Sequence, residues 1–314
     1  MFFWAASNLL RDNDLSRKVL LAFAFGAVLF GTAAQLGLGG FAVGGNNRFS
    51  ALGYNPDYLG LIFAAAGTIL VGFSLEKFSR VYLLPALVIA LSMIVVSGAR
   101  GSVIAFVFGV ACYLLPMEIN FRKVVAITVA TLALVIMGYL VMTNPAFIER
   151  WNRTLNEGDT AGRDELLVLA AGMVRESPLV GWGPKSYQYE LEERFRGYRG
   201  LAQSSHNLEL DALIECGILG GGPFLLGIAL CCRSAWKNRR GELGILPLAA
   251  LVTILVNAQF IPYAVSKPLW LLLALCAPMI RFSSRRSRQP LKYANRSIRA
   301  GVFRPAASHP RQSL

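Results

Sequence analysis

Apolar runs long enough to cross a lipid bilayer recur along most of this 314-residue chain, and no other feature constrains its fold as tightly. A hydrocarbon core of ~30 Å takes roughly 20 residues of α-helix. Inside that core each backbone N–H and C=O must be paired within the protein, which a continuous helix achieves. A hydropathy reading with a window of about 20 residues places about eight spans: 18–38, 58–75, 81–98, 101–117, 122–142, 207–232, 243–263 and 267–281. The expected fold is therefore all-α, a polytopic transmembrane helical bundle. Composition agrees, with 55% apolar and only 16% charged residues, against roughly a quarter charged in a soluble domain. No cleavable signal peptide is read at the N-terminus, because the first apolar run leads directly into further spans.

This count divides the chain into four parts. Residues 1–142 form an N-terminal membrane bundle of about five spans, and 143–206 a long polar connection. Residues 207–281 form a C-terminal bundle of about three spans. Residues 282–314 are rich in Arg, Ser and Pro without apolar periodicity and read as a disordered basic tail.

The net charge of +13 would suggest nucleic acid, but its placement argues otherwise: nine of the 31 basic residues fall from Arg281 onward, and most others flank spans. Basic residues resist translocation. Arg11, Arg17 and Lys18, then Lys77 and Arg80, Arg122 and Lys123, Arg233 to Arg240, and the tail all fall on one side when connections alternate. That side is the cytoplasm, and both termini lie there. The 39–57 loop, the tight turn around Arg100 and the 143–206 connection then face outward and could share one cavity. The five cysteines lie within or at the ends of apolar runs without CxxC spacing, and read as small buried apolar residues.

Few residues on the outward side are equipped for chemistry. Arg100 stands between Gly and Ser residues in S-G-A-R-G-S (97–102), where backbone and ligand can approach closely. It reads either as a snorkelling arginine or as an anion clamp kept against the charge bias. Arg48 sits in a polar loop ending in Asn55-Pro56. Arg163 opens an apolar-rich stretch, Leu166 to Val174, which Asp159 or Thr160 could cap and Pro178 would stop. A surface helix is expected there. Residues 178–187 read as a rigid turn containing Trp182 and Lys185, and 187–199 as a bland charged and aromatic segment that could be a solvated helix.

His206 is the only histidine outside the tail. It precedes a span whose outer end carries Glu209, Asp211 and Glu215. Helical spacing puts Asn207 with Asp211, and Asp211 with Glu215, on one face. A lone histidine is more often structural, but beside carboxylates at the edge of lipid it becomes a candidate for proton transfer. The carboxylates could instead form structural ion pairs with Arg48 or Arg100. No nucleotide-binding glycine loop, paired loop carboxylates or HExxH motif occurs. Neither metal nor other cofactor is therefore expected, and outward-facing chemistry away from ATP needs an already activated substrate.

Taken together, R-F-S-A-L-G-Y-N-P-D-Y-L-G (48–60), S-G-A-R-G-S (97–102), G-R-D-E-L (162–166) with E-S-P-L-V-G-W-G (176–183), G-W-G-P-K-S-Y (181–187) and H-N-L-E-L-D-A-L-I-E-C-G-I-L-G (206–220) resemble the motifs of the O-antigen ligase and O-antigen polymerase superfamily. Each is weak alone; five in order are specific. The resemblance implies a glycosyltransferase of the bacterial inner membrane, acting at its outer face in O-antigen, capsule or exopolysaccharide assembly. The partners it implies are a glycan donor on undecaprenyl diphosphate, a lipid or glycan acceptor and the membrane lipids. Arg48, Arg100 and Arg163 would bind diphosphate, and His206 would act on the acceptor hydroxyl. Asn207, Asp211, Glu215 and Lys185 are the supporting candidates. Relative to the family, about four spans ahead of the long loop are lacking on this hydropathy count, and the acidic run after His206 is heavier. A transporter or flippase for lipid-linked or anionic solutes is the alternative from the residues alone, and a non-catalytic envelope-assembly scaffold a third.

Overall fold

A computed structural model describes residues 2–38, 42–43, 49–50, 55–76, 82–118, 121–157, 162–195, 204–261 and 266–277. The chain divides into two units, Met1–Ile280 and Arg281–Leu314. The second lies outside the described residues, as do Arg48, Asp159 and Thr160.

Among the described residues the fold is all-α apart from a short antiparallel ribbon of two two-residue strands, β1 (Ala42–Val43) and β2 (Phe49–Ser50). All eight expected spans contain helices: α2 (Asn13–Gln35), α3 (Pro56–Glu76), α4 (Leu84–Val96), α5 (Arg100–Leu114), α6 (Phe121–Thr143), α10 (Leu208–Lys237), α11 (Leu246–Asn257) and α12 (Lys267–Cys276). Four of them, α2, α3, α6 and α10, are long and apolar enough to cross a membrane, while α4, α5, α11 and α12 are shorter apolar helices. The chain is a multi-pass membrane protein. Four helices were not expected as separate spans: α1 (Phe2–Leu9), α7 (Pro145–Glu157), α8 (Arg163–Glu176) and α9 (Ser186–Arg194). The surface helix expected after Arg163 is α8, but its N-cap is Gly162 at φ 73° rather than a side-chain cap.

Helix α3 is buried along most of its length and packs against α2, α4, α5 and α11. Helix α11 packs most extensively on α5, so helices from before and after the long connection share one core. Small residues allow the close approach: a methyl at Gly109 would lie 1.9 Å from Thr253 Oγ1. Between the helices Thr68 and Thr253 are hydrogen-bonded at 2.9 Å, and Asn257 Nδ2 donates to Ser102 Oγ at 2.7 Å. In an apolar bundle such packing and inter-helix hydrogen bonds, rather than exclusion of water, hold helices together. At the end of α3 marked by Glu76, Arg17 is paired with that carboxylate and donates to Glu242 C=O.

The sixth span differs from expectation. It is not continuous from 207 to 232: at Gly217 the backbone leaves the helix (φ 62°, ψ −170°). In an unbroken helix, Ile218 and Leu219 N–H would donate to Ile214 and Glu215 C=O. Instead Trp182 and Gly183 N–H donate to those two carbonyls at 2.7 and 3.0 Å. Ile218 and Leu219 N–H donate to Pro178 and Leu179 C=O at 2.8 and 3.1 Å. The turn at 178–183 is thus inserted between two half-helices and pairs four of the backbone groups the break releases. The half after the break, from Ile218 to Lys237, still has the roughly 20 residues needed to cross a bilayer. The half before it carries Glu209, Asp211 and Glu215. It joins a second small core, in which Ile214 packs with Leu166, Met173, Tyr187 and Leu191. The acidic residues therefore lie on a half-helix that packs against α8 and α9.

Candidate active site

The site is built where four chain segments meet at the Asp57 end of α3. The first is the turn into α5. Ser97 Oγ donates to Ile94 C=O at 2.7 Å and accepts from Ala99 N–H at 3.3 Å. Gly60 of α3 permits this turn to lie directly against it; a Cβ there would come within 2.6–2.7 Å of Ser97, Ala99 and Ser102. That contact explains why the N-P-D-Y-L-G (55–60) and S-G-A-R-G-S (97–102) stretches form one unit. It sets half-buried Arg100 as the first residue of α5.

The second segment is the start of α8. Arg163 Nη2 lies 3.7 Å from Asp57 Oδ2, and its guanidinium sits 6.0 Å from the centre of the Phe260 ring. Asp57 is itself oriented by an Asx turn, its N–H donating to Asn55 Oδ1 at 2.9 Å.

The third segment is 204–208. His206 adopts φ 55°, a left-handed conformation that a non-glycine residue keeps only when its surroundings hold it. Its neighbours do so on both sides. Asp211, 2% exposed, accepts from Ser205 N–H at 2.9 Å and lies 2.7 Å from Ser205 Oγ. Asn207 Oδ1 caps α10 by accepting from Leu210 N–H at 2.9 Å. His206 Nδ1 is buried and has no hydrogen-bond partner among the described residues. Burial, and next the Arg163 cation, push the imidazole below its ordinary pKa, with Asp57 offsetting part of the shift. The ring is therefore neutral at pH 7 and able to accept a proton.

The fourth segment, 258–261, follows α11. Hydropathy extends the seventh span through it, but the helix ends at Asn257, and the unwound residues bring Gln259 and Phe260 to the site.

Arg100, Arg163, His206, Gln259, Phe260 and Trp151 line one cavity of about 400 Å³, with further apolar wall from α5, α7 and α8. Three of the four principal residues expected from the sequence thus converge, while Arg48 lies outside the described residues. Of the supporting candidates, Asn207 and Asp211 brace the 204–208 segment. Glu215 contributes its backbone carbonyl to the docked turn. Lys185 is the exposed, left-handed N-cap of α9 and does not line this cavity. Among the described residues Glu209 accepts from Gln259 and Asp211 from Ser205, while the expected pairing of these acids with Arg48 lies outside the described residues. Asp57 and Gln259 are the members sequence reasoning missed. The available signal for Gln259 was a polar pair, Asn257 and Gln259, at the end of an otherwise apolar run. A larger cavity of about 560 Å³ lies at the other end of α3, but its described lining carries both arginines (Arg17, Arg239, Arg240) and acids (Glu76, Glu118, Glu242) and no histidine.

The fold and this cavity define a multi-pass membrane protein with outlying arginines and one neutral histidine gathered around a partly apolar chamber. Residues 85–225, a little under half of the chain, match the family described as O-antigen ligase. The match spans Arg100, Arg163 and His206 and bears out the resemblance drawn from the motifs. No curated protein matches the chain.

Proposed function

We propose that the protein transfers or polymerises a glycan from an undecaprenyl-diphosphate donor onto an acceptor hydroxyl. The reaction takes place at the outer face of the bacterial inner membrane, in envelope polysaccharide assembly, without metal or ATP. The observation that carries this reading is the convergence of Arg100, Arg163 and a neutral His206 on one cavity. Both termini and the 282–314 tail are cytoplasmic in this reading, and 143–206 forms the extracytoplasmic cap.

The chemistry follows from the residues. Neutral His206 accepts the proton of the acceptor hydroxyl, whose oxygen attacks the anomeric carbon. The bond from that carbon to the phosphate oxygen breaks, and the electron pair leaves with the diphosphate. The forked donors of Arg100 and Arg163 match phosphate oxygens and stabilise the charge that develops on the leaving group, the task a metal performs elsewhere. The apolar wall, including Trp151, suits the start of a polyprenyl chain. A solute pathway through the broken α10 is less well supported. The backbone groups freed at Gly217 bond to the 178–183 turn rather than facing a chamber, unlike the exposed half-helix ends that bind solutes in transporters.

A single displacement inverts the anomeric configuration relative to the donor. NMR of the product linkage checks this, and retained configuration rules the step out. The Arg163→Ala variant is expected to raise the donor KM, with kcat/KM down by a factor of roughly 10 to 100, the value of a charge-assisted hydrogen bond. It also removes a cation beside His206, so the acid limb of the rate profile moves to higher pH. An unchanged KM and an unchanged limb would place the donor elsewhere.

A further inference from the structure

We propose that Gln259 is a positioning residue that holds His206 in place for transfer, acting through Asn207. The inference rests on the transfer reading above.

The side-chain amide of Gln259 joins two other side chains. Its Oε1 accepts from Asn207 Nδ2 at 2.7 Å, and its Nε2 donates to Glu209 Oε1 and Oε2 at 2.9 and 2.8 Å. The direction of this chain is forced. Glu209 as a carboxylate can only accept, so the nitrogen of Gln259 must face it and the oxygen must face Asn207. Asn207 Oδ1 already accepts from Leu210 N–H, so its nitrogen is the end left for Gln259. A second tie joins the same two segments, as Leu208 N–H donates to Ala258 C=O at 3.1 Å. Asn207 is the residue after His206, whose left-handed backbone needs such anchoring. The network therefore links the end of α11 to the base through one residue. Neither a glutamate nor a leucine would serve in place of Gln259. The first would set a second carboxylate against Glu209, and the second would leave Glu209 without its donor.

The test uses membranes of cells producing the full chain, with added undecaprenyl-diphosphate-linked glycan and release of undecaprenyl diphosphate as the readout. Gln259→Ala and Gln259→Glu are expected to lose kcat by roughly 10- to 100-fold, the scale of a displaced catalytic group, with donor KM within about threefold of wild type. The double variant Gln259→Glu/Glu209→Gln restores the chain with its second bond reversed, and should recover kcat to within about threefold of wild type. A purely structural role would instead lower the amount of inserted protein at constant kcat. Wild-type kcat in inserted Gln259→Ala, or no recovery in the inserted double variant, overturns the proposal. Should Gln259→Ala fail to insert, the double variant decides alone by the same criterion. The His206→Ala variant separates the two readings. If it transfers at the wild-type rate, the transfer reading itself fails; if it is inactive while Gln259→Ala is normal, only the positioning role fails.

Discussion

The His206→Ala variant is expected to release undecaprenyl diphosphate about 10²- to 10⁴-fold more slowly than wild type, the usual contribution of a general base, while inserting normally. Normal insertion is expected because the segment stays braced. Asp211 holds Ser205, and Asn207 caps α10, through groups that do not include the imidazole. The pH profile gives a second, independent reading of the same residue. An imidazole whose pKa is lowered is unprotonated above that pKa, so the wild-type rate should be flat at neutral pH. It should fall with acidification only below the ordinary histidine range. Replacing Asp57 by Asn removes the one anion that offsets the shift and should move the fall to still lower pH. Transfer at a near-normal rate in His206→Ala, or an acid limb above the ordinary range, would remove histidine from the mechanism.

The second large effect is on the fold. Gly217→Ala should destabilise the protein by about 3 kcal/mol or more, because two costs combine there. The backbone at φ 62°, ψ −170° lies in a region essentially restricted to glycine, and a methyl would stand 2.2 Å from Leu179 carbonyl oxygen. The neighbour is backbone held by two hydrogen bonds and cannot swing aside. Either the 178–183 turn undocks and loses its four backbone hydrogen bonds to the half-helices, or the half-helix shifts and carries the 204–208 segment with it. Gly181→Ala meets Ile214 carbonyl oxygen at 2.4 Å and should behave alike. Gly227→Ala on the same helix has open space around it and is the control expected to cost nothing. Melting of the detergent-solubilised protein, followed by protease sensitivity between Ser177 and Gly183, measures both. Equal melting of Gly217→Ala and Gly227→Ala would mean that the turn is not what holds the break.

Much of this was legible beforehand. Runs such as Leu59 to Phe73 are apolar on every face, and a stretch of that kind has no choice but to be a buried or membrane-crossing helix. Arg100, Arg163 and His206 were legible as a group only through motif resemblance, since they are dozens of residues apart and no local pattern joins them. Gln259 and Asp57 carried little signal of their own. An amide and a carboxylate at helix ends look like ordinary caps until the other end of each hydrogen bond or ion pair is known. Glu209 is illegible for the same reason, as a donor to it comes from Gln259, a segment about 50 residues later. The end of α11 was misjudged because Phe260 and Ile261 are apolar, and hydropathy reads side chains whether or not the backbone is helical.

The break at Gly217 separates the two kinds of information most clearly. By itself the sequence determined that residues 207–232 would be helical and apolar enough to enter a membrane. Side-chain hydropathy and helix propensity are local properties summed over a window. It also supplied glycines at 181 and 217, without saying what they were for. Only the tertiary structure decided that the helix would be cut between them. The cut depends on four hydrogen bonds to a turn more than 30 residues upstream, and on two backbones meeting where no Cβ fits. Those are pairings between distant segments, and they set the three carboxylates and the approach to His206 on a half-helix apart from the one that runs on to Lys237.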